Sequence, residues 1–121
     1  ETRKILKNYS EHPNINIIWL KRNKKAGFCR NLAIRNSKSE YIAFIDSDDY
    51  IAPTMIEKLY NAIELKQADL SWCATAKVSQ EGKILDSGRI PENIWTAEEV
   101  LDCENLYPSI QTVTNKLFKK E

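Results

Sequence analysis

Histidine is almost missing from this chain. His12 is the only one in 121 residues, and beside Pro13 in a loop it reads as a solvated side chain rather than a ligand. Cysteine is sparse and scattered: Cys29, Cys73 and Cys103 are odd in number, and no pair has zinc-type or redox spacing. That pattern suits a reducing compartment, with each thiol a small core residue. No apolar run approaches the roughly 20 residues of a membrane span, and no signal peptide is visible. An excess of one charge is lacking too. Eighteen Lys and Arg against 17 Asp and Glu leave a net charge of +1, which gives no reason to invoke nucleic acid. There is no internal repeat, low-complexity tract or linker.

What is present is ordinary for a globular protein: 42% hydrophobic and 29% charged residues, in a length that allows one domain with a real core. Basic residues cluster at Lys21, Arg22, Lys24 and Lys25, and again at Lys116, Lys119 and Lys120. Solvated loop and terminus are the simplest reading, with a membrane-surface or phosphate contact as the alternative.

The most informative stretch is Tyr41-Ile42-Ala43-Phe44-Ile45-Asp46-Ser47-Asp48-Asp49. Five apolar or aromatic residues run directly into three carboxylates within four positions. A short continuous apolar run fits a buried strand of a parallel sheet, and ligands of open α/β sheets sit beyond the carboxyl ends of the strands. Carboxylates this crowded repel one another unless a cation or basic groups neutralise them. Oxygen ligands of this kind suit magnesium or manganese, which often share coordination with a substrate phosphate.

The flanking sequence predicts an alternating order of helices and strands. Ile5, Leu6 and Tyr9 lie on one stripe of an opening helix, broken by His12-Pro13-Asn14. The β-branched and aromatic run Ile15 to Leu20 predicts a strand, and Phe28 to about Ser37 a second helix. After the acidic turn, Pro53 at a first helical turn and the capping spacing Thr54–Glu57 introduce a helix carrying Met55, Ile56, Leu59, Tyr60 and Ile63. Asp69 to Val78 predicts one strand, and Gln80 to Lys83 a turn into a return strand at Ile84-Leu85. Thr96 and Glu99 repeat the capping spacing before a short helix, and Thr112 to Lys120 fits strand or helix. The expected class is α/β, with a mostly parallel sheet flanked by helices. Such a sheet is expected to open with a strand, so an upstream strand is expected to be missing.

Several chemistries compete for the acidic turn. Asp46, Ser47 and Asp49 are suited to capping the following helix, which accounts for one carboxylate but not three. An EF-hand fails, because Tyr50 takes a ligand position and Ile51 stands where the loop needs glycine. A phosphohydrolase of the haloacid dehalogenase kind would use Asp46 as nucleophile, forming an aspartyl phosphate. The third possibility is an Asp-x-Asp pair holding a divalent cation on a nucleoside diphosphate.

Gly27-Phe28-Cys29-Arg30-Asn31, then Ser39-Glu40-Tyr41 through Asp49, then Pro53 and Met55 to Tyr60, strongly resemble glycosyltransferase family 2. The closing Asn115-Lys116-Leu117-Phe118-Lys119-Lys120 resembles a segment of members that build bacterial capsular and cell-surface polysaccharides. The resemblance covers most of the chain in the right order. It implies a Rossmann-like glycosyltransferase A-type fold and an inverting transfer of sugar from a nucleoside-diphosphate sugar, a UDP-sugar first among them, to a glycan or lipid-linked acceptor. By position, Asp48 is the principal metal ligand with Asp46 beside it, for Mn2+ or Mg2+. Arg30, Asn31, Asp46, Ser47 and Asp48 then form the nucleotide-sugar site. An arginine fork suits phosphate and could pair with Asp46 when no ligand is bound, an ordinary surface ion pair being the alternative.

The resemblance also sets expectations about extent. Residues 1–121 are expected to form one partial catalytic domain, without the upstream nucleotide-binding strands and without the downstream segment that carries the catalytic base. Glu98-Glu99 is read as a helix cap and dipole partner, not that base. Cys29, Ala33 and Ser39 depart from the family pattern by small-for-small exchanges. An inactive scaffold fragment stays open as an alternative. The expected location is cytoplasmic, at the inner face of the membrane, with peripheral membrane association of the full-length protein. An unpaired sheet edge is expected to favour dimerisation. Trp19 and Trp72 are expected in the core of strands, and Trp95 as a hydrophobic staple or a sugar-stacking surface.

Overall fold

A computed structural model describes residues 1–89, 93–102 and 112–120. The chain divides into two compact units, residues 1–36 and 37–121, and each is taken by itself.

In the first unit, helix α1 (Thr2–Lys7) and helix α2 (Lys25–Asn36) are joined by irregular chain. The expected helices are both present, although α2 starts three residues before Phe28. Its entry is made by Lys25, at φ 65°, whose N–H donates to Asn23 Oδ1 at 2.9 Å. Its exit is tied by Asn36 Nδ2 donating to the Leu32 carbonyl at 2.8 Å. The strand expected over Ile15 to Leu20 does not form. Strand propensity is a preference for a paired, half-buried surface, and among the described residues this run has no ladder partner. Trp19 is correspondingly not a core residue: it is 48% exposed, with the Arg3 guanidinium 5.9 Å from its ring centre.

The second unit is an α/β assembly. Strand β1 (Tyr41–Ala43) leads through the acidic turn to helix α3 (Met55–Lys66), followed by strand β2 (Leu70–Trp72). Strands β3 (Ala76–Val78) and β4 (Ile84–Ser87) form a separate hairpin. Helix α4 (Ala97–Asp102) and strand β5 (Lys116–Lys119) complete the order. The sheet runs β1-β5-β2, with β5 in the middle and antiparallel to both neighbours. This corrects the expectation of a mostly parallel sheet as far as the described residues go. The alternation of helix and strand does make β1 and β2 point the same way, but β5 inserts between them from far along the chain.

The stretch expected as one strand from Asp69 to Val78 is two. Residues 70–72 pair with β5, whereas 76–78 pair with β4 in another sheet, so the backbone must turn between them. Gly82, at φ 80°, supplies the left-handed residue of the hairpin turn. Ser79 N–H donates to the Lys83 carbonyl at 2.8 Å and closes it.

The core is small. Leu59 and Ile63 of α3 and Leu117 of β5 are buried, with Tyr41, Ala43, Met55 and Cys73 packed around them. Period-two alternation explains the strand contributions, since Tyr41 and Ala43 share one face of β1. Tyr41 stands edge-on to Tyr60, and its hydroxyl donates to Glu64 at 2.5 Å. Ser71 Oγ donates to the Leu59 carbonyl at 2.8 Å, which ties β2 to the middle of α3.

Polar groups lock β5 in place. Asn115 is only 1% exposed, and its Nδ2 donates to the Cys73 carbonyl at 2.6 Å. Its Oδ1 accepts from Thr112 Oγ1 at 2.8 Å and from Lys116 Nζ at 2.9 Å, while its carbonyl accepts the Cys73 N–H at 3.0 Å. Lys116 Nζ also donates to the Thr112 carbonyl. The lock makes a stability prediction. Asn115→Ala leaves buried partners unsatisfied and should cost about 2–4 kcal/mol in urea unfolding. Thr54 caps α3 without a side-chain hydrogen bond, contrary to the spacing with Glu57. Thr54→Ala should therefore change stability by less than about 0.5 kcal/mol, where a formed cap would cost about 1 kcal/mol.

Candidate functional site

The acidic turn is built by the exit of β1. Phe44 follows Ala43 onto the opposite face of the strand and meets Phe118 of β5 edge-on, 6.1 Å between ring centres. Ile45 is already 49% exposed, and the Asp49 N–H then donates to the Asp46 carbonyl at 3.1 Å. That bond closes a four-residue turn over Asp46, Ser47, Asp48 and Asp49, all exposed. The next helix begins later, capped by Thr54 with Met55 N–H donating to the Ala52 carbonyl at 2.9 Å. A capping role for Asp46, Ser47 and Asp49 is thereby removed. The three carboxylates share one exposed turn at the carboxyl end of β1 for no reason of helix capping.

The sequence-derived candidates Asp46, Ser47 and Asp48 are thus brought together. Arg30 and Asn31 are neighbours on α2 in the other unit, Arg30 partly buried and Asn31 exposed. Among the described residues no three His, Cys, Asp or Glu side chains form a metal-holding group. Magnesium, and manganese by the same hard-ligand chemistry, takes one or two carboxylates and completes its shell with substrate phosphates and water.

Glu98 and Glu99 open α4, and the capping box forms there. Thr96 N–H donates to Glu99 Oε2 at 2.7 Å, and Glu99 N–H donates to Thr96 Oγ1 at 3.2 Å. These bonds from the Thr96 backbone and side chain hold the Glu99 carboxyl below its ordinary pKa. Glu99 is engaged as a cap, as the sequence spacing indicates.

At the same end of the sheet, beside the start of β5, lie Lys116 and Cys73. Burial pushes the Lys116 ammonium below the ordinary lysine value, with Cys73 acting against it. Burial pushes the Cys73 thiol up, opposed by Lys116. The pairing of Trp72 with Trp95, rings 5.2 Å apart and tilted by 33°, has no signature in the spacing of the two residues. Trp95 thus meets β2, where a staple onto α4 is the sequence expectation.

The whole chain, residues 1–121, matches the profile of glycosyl transferase family 2. It is 32% identical over 124 aligned residues to the poly(ribitol-phosphate) beta-N-acetylglucosaminyltransferase TarP of Staphylococcus aureus (strain N315), covering 99% of this chain and 35% of TarP. It is 30% identical over 86 residues to TuaG of Bacillus subtilis (strain 168), whose name provisionally assigns it as a glycosyltransferase of teichuronic acid biosynthesis, covering 70% of this chain and 34% of TuaG. Glycosyltransferase GlyG of Streptococcus pneumoniae is 42% identical over 45 residues, 37% of this chain and 15% of GlyG. No solved structure gives a significant match. The chain belongs to glycosyl transferase family 2, and it spans about a third of the length of the first two relatives. No helix among the described residues is long and apolar enough to cross a membrane.

The cap at Glu99 makes a pH prediction. Its lowered folded pKa gives stability that is present above the ordinary glutamate value and lost as the pH falls through the folded one. The stability difference between the native chain and Glu99→Gln should be constant above about pH 5 and shrink below about pH 4. Urea unfolding across that range reads it; a difference independent of pH would contradict the cap.

Proposed function

We propose that the chain is part of an inverting glycosyltransferase that moves a sugar from a nucleoside-diphosphate sugar to a glycan or lipid-linked acceptor in cell-surface polysaccharide synthesis. The observation that carries this reading is the exposed turn of three carboxylates at the end of β1, set apart from the Thr54 cap of α3, in a chain that matches the family over residues 1–121. Two relatives, named for poly(ribitol-phosphate) and for teichuronic acid biosynthesis, support a role on cell-surface polymers, whose acceptor unit is a sugar ring or an open-chain polyol.

In this reading Asp48, with Asp46 beside it, holds manganese or magnesium against the donor diphosphate. When bound, the cation neutralises charge developing on the leaving diphosphate. Ser47, between them in the sequence, would offer its hydroxyl to the same ligand. Arg30 and Asn31 keep the nucleotide-side role that the family resemblance implies, with a UDP-sugar as the first donor to test. The displacement at the anomeric carbon needs a base to take the acceptor hydroxyl proton, and none of the residues in this chain is assigned that role. The parent fold is the Rossmann-like glycosyltransferase A type, whose further strands would add at the outer edge of β1. The working location is cytoplasmic, at the inner membrane face. In this reading the edge of β1, which pairs with β5 alone among the described residues, is where a second copy would pair.

Thermal unfolding with nucleoside diphosphates, with and without manganese, tests the reading. A ligand at about 100 times its dissociation constant adds roughly 2.7 kcal/mol, a rise in Tm of several degrees. A manganese-dependent rise for one nucleotide, lost in Asp48→Ala, is the expected result. No rise for any nucleotide in a folded chain would make this piece a scaffold without donor binding.

A further inference from the structure

Beside β2 lies a cavity of about 370 Å³, lined by Trp72 and Trp95 with Ala62, Lys66, Cys73 and Asn93 among its other walls. We propose that it binds a pyranose ring of the acceptor glycan, stacked on the Trp72–Trp95 pair; the assignment to the acceptor rests on the transferase reading above.

Placement within the sheet supports this. Ala43 of β1 and Ser71 of β2 both pair with Leu117 of β5, so the two strands are level and point the same way. Asp46 follows Ala43 by the same number of residues as Ala74, another wall of the cavity, follows Ser71. Ala43 and Ser71 are therefore level and two strand spacings apart, roughly 10 Å, with the acidic turn following the one strand and the cavity bordering the other.

Chemistry selects the occupant. The cavity falls in the ~300–1,000 Å³ range of small-molecule sites. The C–H face of a pyranose carries partial positive charge and suits the negative face of an indole. The Trp72 indole N–H is buried without a hydrogen-bond acceptor among the described residues. That N–H reaches an occupant only if the ring turns toward the cavity, and a sugar oxygen would then accept from it where an apolar occupant would not. Lys66 and Asn93 are exposed and add polar groups for other hydroxyls.

The test follows the three indole N–H resonances of the ¹⁵N-labelled chain during titration with glucose, N-acetylglucosamine and glucuronic acid, with ribitol as an open-chain polyol that has no ring face. Trp72 and Trp95 should shift with at least one pyranose and not with ribitol, while Trp19, in the other unit, stays fixed. Trp95→Ala should weaken binding roughly tenfold. Trp72→Phe keeps an aromatic face without the N–H, and should weaken it while the Trp95 shift persists. Fixed Trp72 and Trp95 resonances with all three pyranoses, equal shifts with ribitol, or shifts driven by protein concentration alone would overturn the proposal. A parallel titration with UDP and manganese, read at the amides of Asp46 to Asp49, separates the two readings. Donor binding with unmoved tryptophans sinks the pyranose site alone. Pyranose binding without donor binding sinks the transferase reading and leaves a sugar site.

Discussion

Strand β5 arrives late in the chain, yet β1 and β2 both form their sheet bonds with it and with no other described strand. What fixes it there is a buried polar lock centred on Asn115, which holds the backbone of Cys73 across 42 residues of sequence. Leu117, two residues on, is the strand's contribution to the core under α3. Among the described residues three apolar side chains, Leu59, Ile63 and Leu117, are buried, and a cluster of that size specifies register weakly by shape alone. Hydrogen bonds with a fixed geometry do that work, because a slipped register would leave the buried Asn115 and Lys116 groups without partners.

The consequence for function is positional. Because β5 is antiparallel to both neighbours, β1 and β2 end on the same side. The acidic turn leaves one, and the tryptophan-lined cavity borders the other. A donor site and an acceptor site need such a fixed separation, since a transfer proceeds only when reacting atoms are held close and in line. The lock is therefore as much a part of the proposed chemistry as the carboxylates, although it touches neither ligand.

Local signals in the sequence were legible where local physics decides. Thr96 and Glu99 form the capping box that their spacing announces, and the apolar period of Met55 to Ile63 gives α3 its buried face. The acidic turn is also where the sequence puts it, because an apolar strand followed by carboxylates has few other solutions. Elsewhere tertiary context overrides pattern. Thr54 and Glu57 have the same spacing as Thr96 and Glu99, but no side-chain cap forms at Thr54. Ile15 to Leu20 has strand composition without a strand to pair with among the described residues, and Asp69 to Val78 is shared between two sheets. The place of β5 in the sheet and the meeting of Trp72 with Trp95 depend on long-range contact, which no periodicity encodes. The family resemblance supplied the motif around Asn115 but not its role as a lock.

The central claim is that the turn after β1 is a metal-assisted diphosphate site, held in register by β5. Manganese is paramagnetic, so in the presence of a nucleoside diphosphate it broadens the NMR signals of nearby amides. The most direct measurement is that broadening along the chain, with trace manganese and UDP. The account predicts strongest loss at Ser47, Asp48 and Asp49, with the β3–β4 hairpin turn unaffected. Equal broadening at exposed carboxylates throughout the chain, or none at the turn, would contradict it.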